Sequence, residues 1–213
     1  MPDFSLEEAA RAEGVVGAIV GVDEVGRGPW AGPVFASAAL LFERDAPPTF
    51  LAALADSKTL SRKQREALAP EIVRFGVVAL GEASVAEIER LNVLQASLLA
   101  MARAVDALGA RLGAAPGLAL VDGNRPPKLC CEVKTVVKGD GKSLSIAAAS
   151  IFAKVLRDRH MAELATQHPG YGWERNAGYG VPEHVHGLRM HGVTIHHRRT
   201  FTPIAKLLTQ QDS

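Results

Sequence analysis

The chain has 213 residues, of which 47% are hydrophobic and 22% charged. That is ordinary globular composition, which excludes a disordered or acidic-tail protein, and the length suits one domain with an appendage. Its 24 basic and 23 acidic residues leave a net charge of +1, so total charge names no partner, and a polyanion would have to be met by a local basic patch.

Ala9 to Ala12 reads as a short helical lead-in. Val15 to Val25 is rich in Val, Ile and Gly and is punctuated by Gly26-Arg27-Gly28-Pro29, the pattern of a strand followed by a tight loop. Pro33 to Phe42 is a second strand. Pro47-Pro48 and Asp56-Ser57-Lys58 mark a loop. Ser61 and Gln64 have capping-box spacing and open a helix with Leu68 and Ile72 on one face. Val73 to Leu80 reads as a helix end running into a third strand. Ile88, Leu91, Leu94, Leu98, Met101, Val105, Leu108 and Leu112 recur every three or four residues and predict one long helix. Leu118 to Val121 is short and wholly apolar, as a strand covered on both faces should be. Lys134 to Lys138 is a further strand, ending at Gly139-Asp140-Gly141. Ser145 to Gln167 is helical and Ala-rich. His168 to Pro182 is a long loop, and Glu183 to Gln210 is basic and helical in pieces. The order implies an α/β fold: a mixed β-sheet flanked by helices, with a small C-terminal helical extension. The boundaries read as residues 14–168 for the sheet domain and 169–213 for the extension.

Adjacent Cys130 and Cys131 are a poor disulfide pair and too few for a zinc site, which predicts reduced thiols. The N-terminus lacks a basic segment followed by an apolar one, and no apolar run approaches the ~18 residues of a membrane span. The expectation is a cytoplasmic monomer with no membrane attachment.

The acids carry the most information. Asp23-Glu24 follows Ile19-Val20-Gly21-Val22 directly, where a buried strand seldom tolerates two charges. Asp122 lies at the end of a buried strand and Asp140 at the end of another. The crevice beyond strand ends is the usual ligand site of open α/β sheets. Carboxylates gathered there repel one another, and a hard divalent cation resolves the conflict. Oxygen-only ligands favour magnesium or manganese over zinc. Against this, Asp122-Gly123-Asn124 and Gly139-Asp140-Gly141 are also good turns. Successive strand residues point to opposite faces, so Asp23 and Glu24 could share metal ions only if the strand twists, bulges or ends between them, or if one contributes through its backbone.

Gly26-Arg27-Gly28-Pro29 could let backbone amides approach a sugar hydroxyl or phosphate, although a plain turn fits equally well. The chain's two tyrosines, Tyr171 and Tyr179, lie in Gly-Tyr-Gly loops; each could stack on a base or sugar or plug the core edge. Basic residues cluster at Lys58, Arg62, Lys63 and Arg65, at Lys138 and Lys142, at Lys154, Arg157 and Arg159, and at His196 to Arg199. These runs would neighbour a nucleic-acid backbone passing the acids. Adjacent His196 and His197 make a poor chelate.

Gly21 to Pro29 (GVDEVGRGP), Asp56-Ser57-Lys58, Val121 to Asn124 (VDGN), Val137 to Asp140 (VKGD), Ser145 to Ile151 (SIAAASI), Ala153 to Asp158 (AKVLRD), Gly178-Tyr179-Gly180 and His196 to Phe201 (HHRRTF) together resemble bacterial type 2 ribonuclease H, ribonuclease HII. The motifs run in the family's order from about Ala18 to Lys206. The resemblance implies a ribonuclease H-like fold. It implies hydrolysis of the RNA strand of RNA–DNA hybrids and incision 5′ of single ribonucleotides in duplex DNA, with two divalent ions, Mg2+ or Mn2+, leaving a 5′-phosphate and a 3′-hydroxyl. By motif match Asp23, Glu24, Asp122 and Asp140 would be the catalytic metal-binding acids. The backbone of Gly26, Arg27 and Gly28 would read the ribose 2′-hydroxyl, Tyr179 would pack on the sugar at the DNA side of the junction, and Lys58 would touch phosphate. Many members carry Lys before Gly-Tyr-Gly, where this chain has Ala177.

Overall fold

The computed structural model describes residues 1–43, 45–55 and 60–211. In chain order these form α1 (Ser5–Ala12), β1 (Ile19–Val25), β2 (Val34–Leu41), α2 (Pro48–Ala55), α3 (Arg62–Arg74), β3 (Gly76–Ala83), α4 (Val85–Leu91), α5 (Val93–Leu112), β4 (Leu118–Asp122) and β5 (Glu132–Val136). A 3-10 turn at Gly139–Gly141 follows, then α6 (Leu144–Gln167), α7 (Trp173–Asn176), α8 (Pro182–His191) and α9 (Thr202–Gln211).

The chain forms two compact units, each discontinuous in sequence. One comprises Met1–Val25, Phe35–Glu82 and Leu98–Val155, the other Gly26–Val34, Ala83–Ser97 and Leu156–Ser213.

The first unit carries the sheet, in the order β3-β2-β1-β4-β5. β1 is antiparallel to β2 and parallel to β4, and β4 is parallel to β5, so the sheet is mixed as the element order implies. Ile19, Leu118, Leu120, Val136 and Ile146 share one apolar cluster with Ala10 of α1. Gly21 lies between Ile19 and Asp23 on this face. A Cβ there would stand 2.1 Å from the Ser145 carbonyl carbon and 2.2 Å from Ile146 N, so the missing side chain is what lets α6 lie against β1. α6 starts where it does because Ser143 Oγ accepts from Ile146 N at 3.1 Å. The buried Glu7 carboxylate of α1 then accepts the Ser143 hydroxyl at 2.6 Å and Ser145 N at 3.3 Å, placing negative charge at the positive end of the helix.

Several sequence expectations change in detail. The capping box of α3 forms as read, with Gln64 N reaching Ser61 Oγ and Ser61 N reaching Gln64 Oε1. The long helix is broken at Asn92, whose φ is 69°. Its side chain accepts from Leu94 N and Gln95 N and so starts α5 afresh. α2 lies where Pro47-Pro48 reads as loop, since Pro48 takes the first helical position, the one where a missing N–H costs nothing. Asp140 is not at a strand end: β5 stops at Val136, and Asp140 sits in the turn beyond it. By length and mean hydropathy α5 is, among the described residues, the one helix able to cross a bilayer. Its buried Ala96, Ala100, Ala104 and Leu108 recur at the i,i+4 spacing of a helix packed in a core.

Candidate active site

The β1–β4 register explains how two distant acids meet. Ile19 pairs with Leu118, Gly21 with Leu120 and Val22 with Val121. One step further brings Asp23 level with Asp122. Strand alternation puts both on the face of Ile19, Gly21, Leu118 and Leu120, toward α6. Asp23 is buried. Burial, then the neighbouring Glu24 charge, holds its carboxyl well above the ordinary aspartate range. The Ser150 hydroxyl of α6 pulls it back, the Asp122 charge raises it further, and the Glu24 N–H lowers it. That N–H donates to Asp23 Oδ1 at 2.7 Å. Asp122 is half-buried, and Gly139 N donates to its Oδ1 at 2.5 Å.

Ser37 faces Asp23 across the β1–β2 pair. It is fully buried, and among the described residues its hydroxyl has no hydrogen-bond partner. The pairing runs without interruption through Asp23, Glu24 and Val25, so no bulge on that edge turns Glu24 onto the Asp23 face. By alternation Glu24 leaves on the other side, half-buried at the strand's end. Asp140, also half-buried, follows Gly139, the residue that holds Asp122.

Glu24 and Asp122 are thus each within electrostatic reach of Asp23. Among the described residues, no three His, Cys, Asp or Glu side chains already stand as a closed metal-holding cluster. A hard cation of the magnesium type takes one or two carboxylates and completes its shell with water and substrate phosphate. A buried carboxylate pressed by two other acids, among serine hydroxyls, is a donor set of oxygens alone.

The glycine loop lies in the second unit. Gly26 is buried with φ 96°, while Arg27 and Gly28 are exposed. Two fully buried arginines hold this segment by its carbonyls. Arg198 donates to Gly26 O at 2.5 Å, Arg27 O at 2.9 Å and Gly32 O at 2.8 and 3.0 Å. Arg157 donates to Pro33 O, Ala31 O and Ala177 O at 2.9–3.2 Å. This corrects the sequence reading of both as surface phosphate-facing residues. A signal was present: Arg157 falls on the i,i+4 line Ala149, Ala153, Met161 of α6, all buried, so its charge sits on an apolar stripe. Burial pulls Arg157 down to about 10, with Tyr179 and Asp158 opposing. Burial and then Arg157 pull Arg198 down to about 9, with Tyr179 opposing.

The two tyrosines separate. Tyr171 is a core plug, 2% exposed and stacked on Trp173. Tyr179 is 44% exposed, and its ring lies against the glycine loop: a Cβ on Gly28 would meet its Cε1 at 3.3 Å. Left-handed Ala177 and Gly178 form the turn that presents it. Gly178 N donates to Asn176 Oδ1, and Gly178 O accepts from Trp30 N. Ala177 itself is buried, its carbonyl taken by Arg157. Lys58 lies outside the described residues.

A family model for ribonuclease HII matches residues 20–204. The chain belongs to the ribonuclease HII family. The ribonuclease HII of Paramagnetospirillum magneticum is 54% identical over 208 residues, spanning 98% of this chain and 99% of its own. The crystal structure of ribonuclease H2 from Pyrococcus horikoshii has a TM-score of 0.73 at 26% identity, over 92% of this chain and 99% of that one. Bst-RNase HIII, solved in complex with Mn2+, shares the fold at 20% identity, with a TM-score of 0.71 over 98% of this chain and 81% of its own. The fold is therefore ribonuclease H-like. As a ribonuclease HII, the chain is an endonuclease that cleaves the RNA strand of RNA–DNA hybrids.

Proposed function

We propose that this ribonuclease HII also incises duplex DNA 5′ of a single embedded ribonucleotide, and that Asp23, Glu24, Asp122 and Asp140 hold two divalent ions, Mg2+ or Mn2+, for both reactions. The observation that carries this is Asp23 buried level with Asp122 on one face of the sheet, in a setting that disfavours its own negative charge. A polar group kept buried at such a cost has a cation as its natural partner. Mn2+ in the crystals of Bst-RNase HIII is in keeping with that choice.

When bound, the ions supply an acidified water and neutralise the charge on the leaving oxygen. The chain's own part is positioning. The Ser150 hydroxyl and the Glu24 N–H orient the Asp23 carboxylate, and Gly139 N–H orients that of Asp122. Water attacks phosphorus in line and the bond to the 3′-oxygen breaks, leaving a 3′-hydroxyl and a 5′-phosphate on the ribonucleotide. Only ribose has a 2′-hydroxyl. The backbone of Gly26, Arg27 and Gly28, the last two being exposed residues, reads that hydroxyl, and Tyr179 packs on the following sugar at the DNA side. Lys58 contacts phosphate by motif match.

The test is a gel assay on a duplex with one embedded ribonucleotide, with and without divalent metal. A single metal-dependent cut 5′ of the ribonucleotide supports the reading. Cleavage of long hybrids alone, or comparable cleavage of an all-DNA duplex, refutes it.

A further inference from the structure

Arg198 grips two consecutive peptide units of the glycine loop by their oxygens. Its buried guanidinium donates to the carbonyls of Gly26 and Arg27. Among the described residues every peptide bond is trans, and in a trans peptide the C=O and the following N–H point in opposite directions. The Gly26 carbonyl shares its peptide unit with the Arg27 N–H, and the Arg27 carbonyl shares its unit with the Gly28 N–H. Fixing both oxygens on one planar fork therefore aims both N–H groups away from it, on the two residues of the motif that are exposed. A cation at the oxygen end also polarises each peptide, which makes its N–H a stronger donor.

Arg157 serves as an internal comparison. It is as deeply buried and also bonds carbonyls of this segment, but those of Ala31 and Pro33, with Ala177 beyond. Neutral donors could hold a merely structural loop, whereas two neighbouring buried guanidiniums carry a desolvation and repulsion cost.

We propose that Arg198 is a positioning residue for ribose recognition, orienting and polarising the Arg27 and Gly28 N–H groups toward a substrate 2′-hydroxyl. This rests on the reading of Gly26, Arg27 and Gly28 given above.

The experiment compares Arg198→Lys, Arg157→Lys and the wild type. Affinities are measured by fluorescence anisotropy in EDTA for two duplexes that differ only in one ribonucleotide. Wild type prefers the ribonucleotide duplex. Arg198→Lys loses about tenfold of that preference, the worth of one good hydrogen bond, with all-DNA affinity unchanged. Arg157→Lys, whose side chain packs on Gly26 but grips neither the Gly26 nor the Arg27 oxygen, loses less of the preference than Arg198→Lys. Retention of the preference by Arg198→Lys, or equal loss in both variants, overturns the role. If lysine at 198 prevents folding, Arg198→Gln keeps N–H donors without the charge and is expected to lose the preference in part. In parallel, amide NMR of the wild type follows Arg27 and Gly28, whose N–H signals shift with the ribonucleotide duplex and not with all-DNA. Unresponsive amides in a wild type without preference defeat the reading of the glycine loop, and the Arg198 proposal falls with it. Responsive amides with an indifferent Arg198→Lys defeat the Arg198 proposal alone.

Discussion

His197 Nε2 donates to His184 Nε2 at 3.0 Å, inside the second unit. The partners at each end fix this direction. Thr194 N donates to His197 Nδ1 at 2.9 Å, so that nitrogen carries no proton and Nε2 does. Trp173 Nε1 donates to His184 Nε2 at 3.1 Å, so His184 carries its proton on Nδ1, 3.0 Å from Tyr179 O. One chain of hydrogen bonds thus runs from the Thr194 backbone to the Tyr179 carbonyl with both imidazoles neutral. A proton added to His184 Nε2 would face the Trp173 and His197 N–H donors, and one added to His197 Nδ1 would displace the Thr194 N–H.

Acid should therefore weaken the fold. Burial, then the His184 charge, takes His197 down to about 3, with a backbone hydrogen bond to Thr194 opposing and His196 and His168 adding to the fall. Burial also lowers His184. The unfolded chain binds the proton first, near 6.5, so the stability linked to His197 is fully present above that pH. It is lost as pH falls toward about 3, with a slope on the order of 1 kcal/mol per pH unit. Urea unfolding at pH 7 and pH 5 measures this. The wild type should lose more stability than His197→Gln, which cannot titrate. Equal losses would remove His197 from the account.

Tyr179→Ala tests junction reading without touching the core, because the ring is 44% exposed. The melting temperature should stay within about 2 °C, in line with a surface substitution. Incision at a single ribonucleotide should fall about tenfold more than cleavage of a long hybrid, which offers ribose on both sides of the cut. Equal losses on the two substrates argue against a junction role.

The strands bearing Asp23 and Asp122 were legible because each is a short apolar run cut off by charge. Their side-by-side placement was not, since it depends on β1–β4 register across about 100 residues of sequence. The break at Asn92 was hidden because α4 and α5 both bury apolar faces, and the three-to-four periodicity runs through the junction. Arg157 and Arg198 were legible as cations and misread in location. A guanidinium buried on backbone carbonyls has the same sequence signature as one in solvent, except for its place on an apolar stripe. Tyr171 and Tyr179 share a Gly-Tyr-Gly setting, and the burial of Tyr171 with its stacking on Trp173 is what tells the core plug from the exposed ring of Tyr179.

Gly21→Ala tests the packing that brings α6 to the acids. The new methyl would overlap backbone atoms of Ser145 and Ile146, which cannot swing aside as a side chain can. A loss of about 3 kcal/mol or more in urea unfolding is expected, at the upper end of overpacking costs. Ser150, one turn along α6, should be displaced from Asp23, and activity should drop at temperatures where the variant is still folded. A stability within about 0.5 kcal/mol of wild type would mean that α6 does not lie as tightly on β1.

On the proposed reading, Asp23 and Asp122, set level on one face of the sheet, hold the cation on which cleavage depends. The most direct measurement of this is turnover of an RNA–DNA hybrid by Asp23→Asn and Asp122→Asn across a magnesium and manganese titration, with circular dichroism and melting recorded on the same samples. Both variants should keep the wild-type spectrum. Asp23→Asn should melt no lower than wild type, because it removes a buried charge that its surroundings disfavour. Turnover should fall by at least about a hundredfold in each, more than the loss expected from disturbing a mere outer partner of a metal ligand. Turnover within tenfold of wild type in either folded variant would contradict the claim.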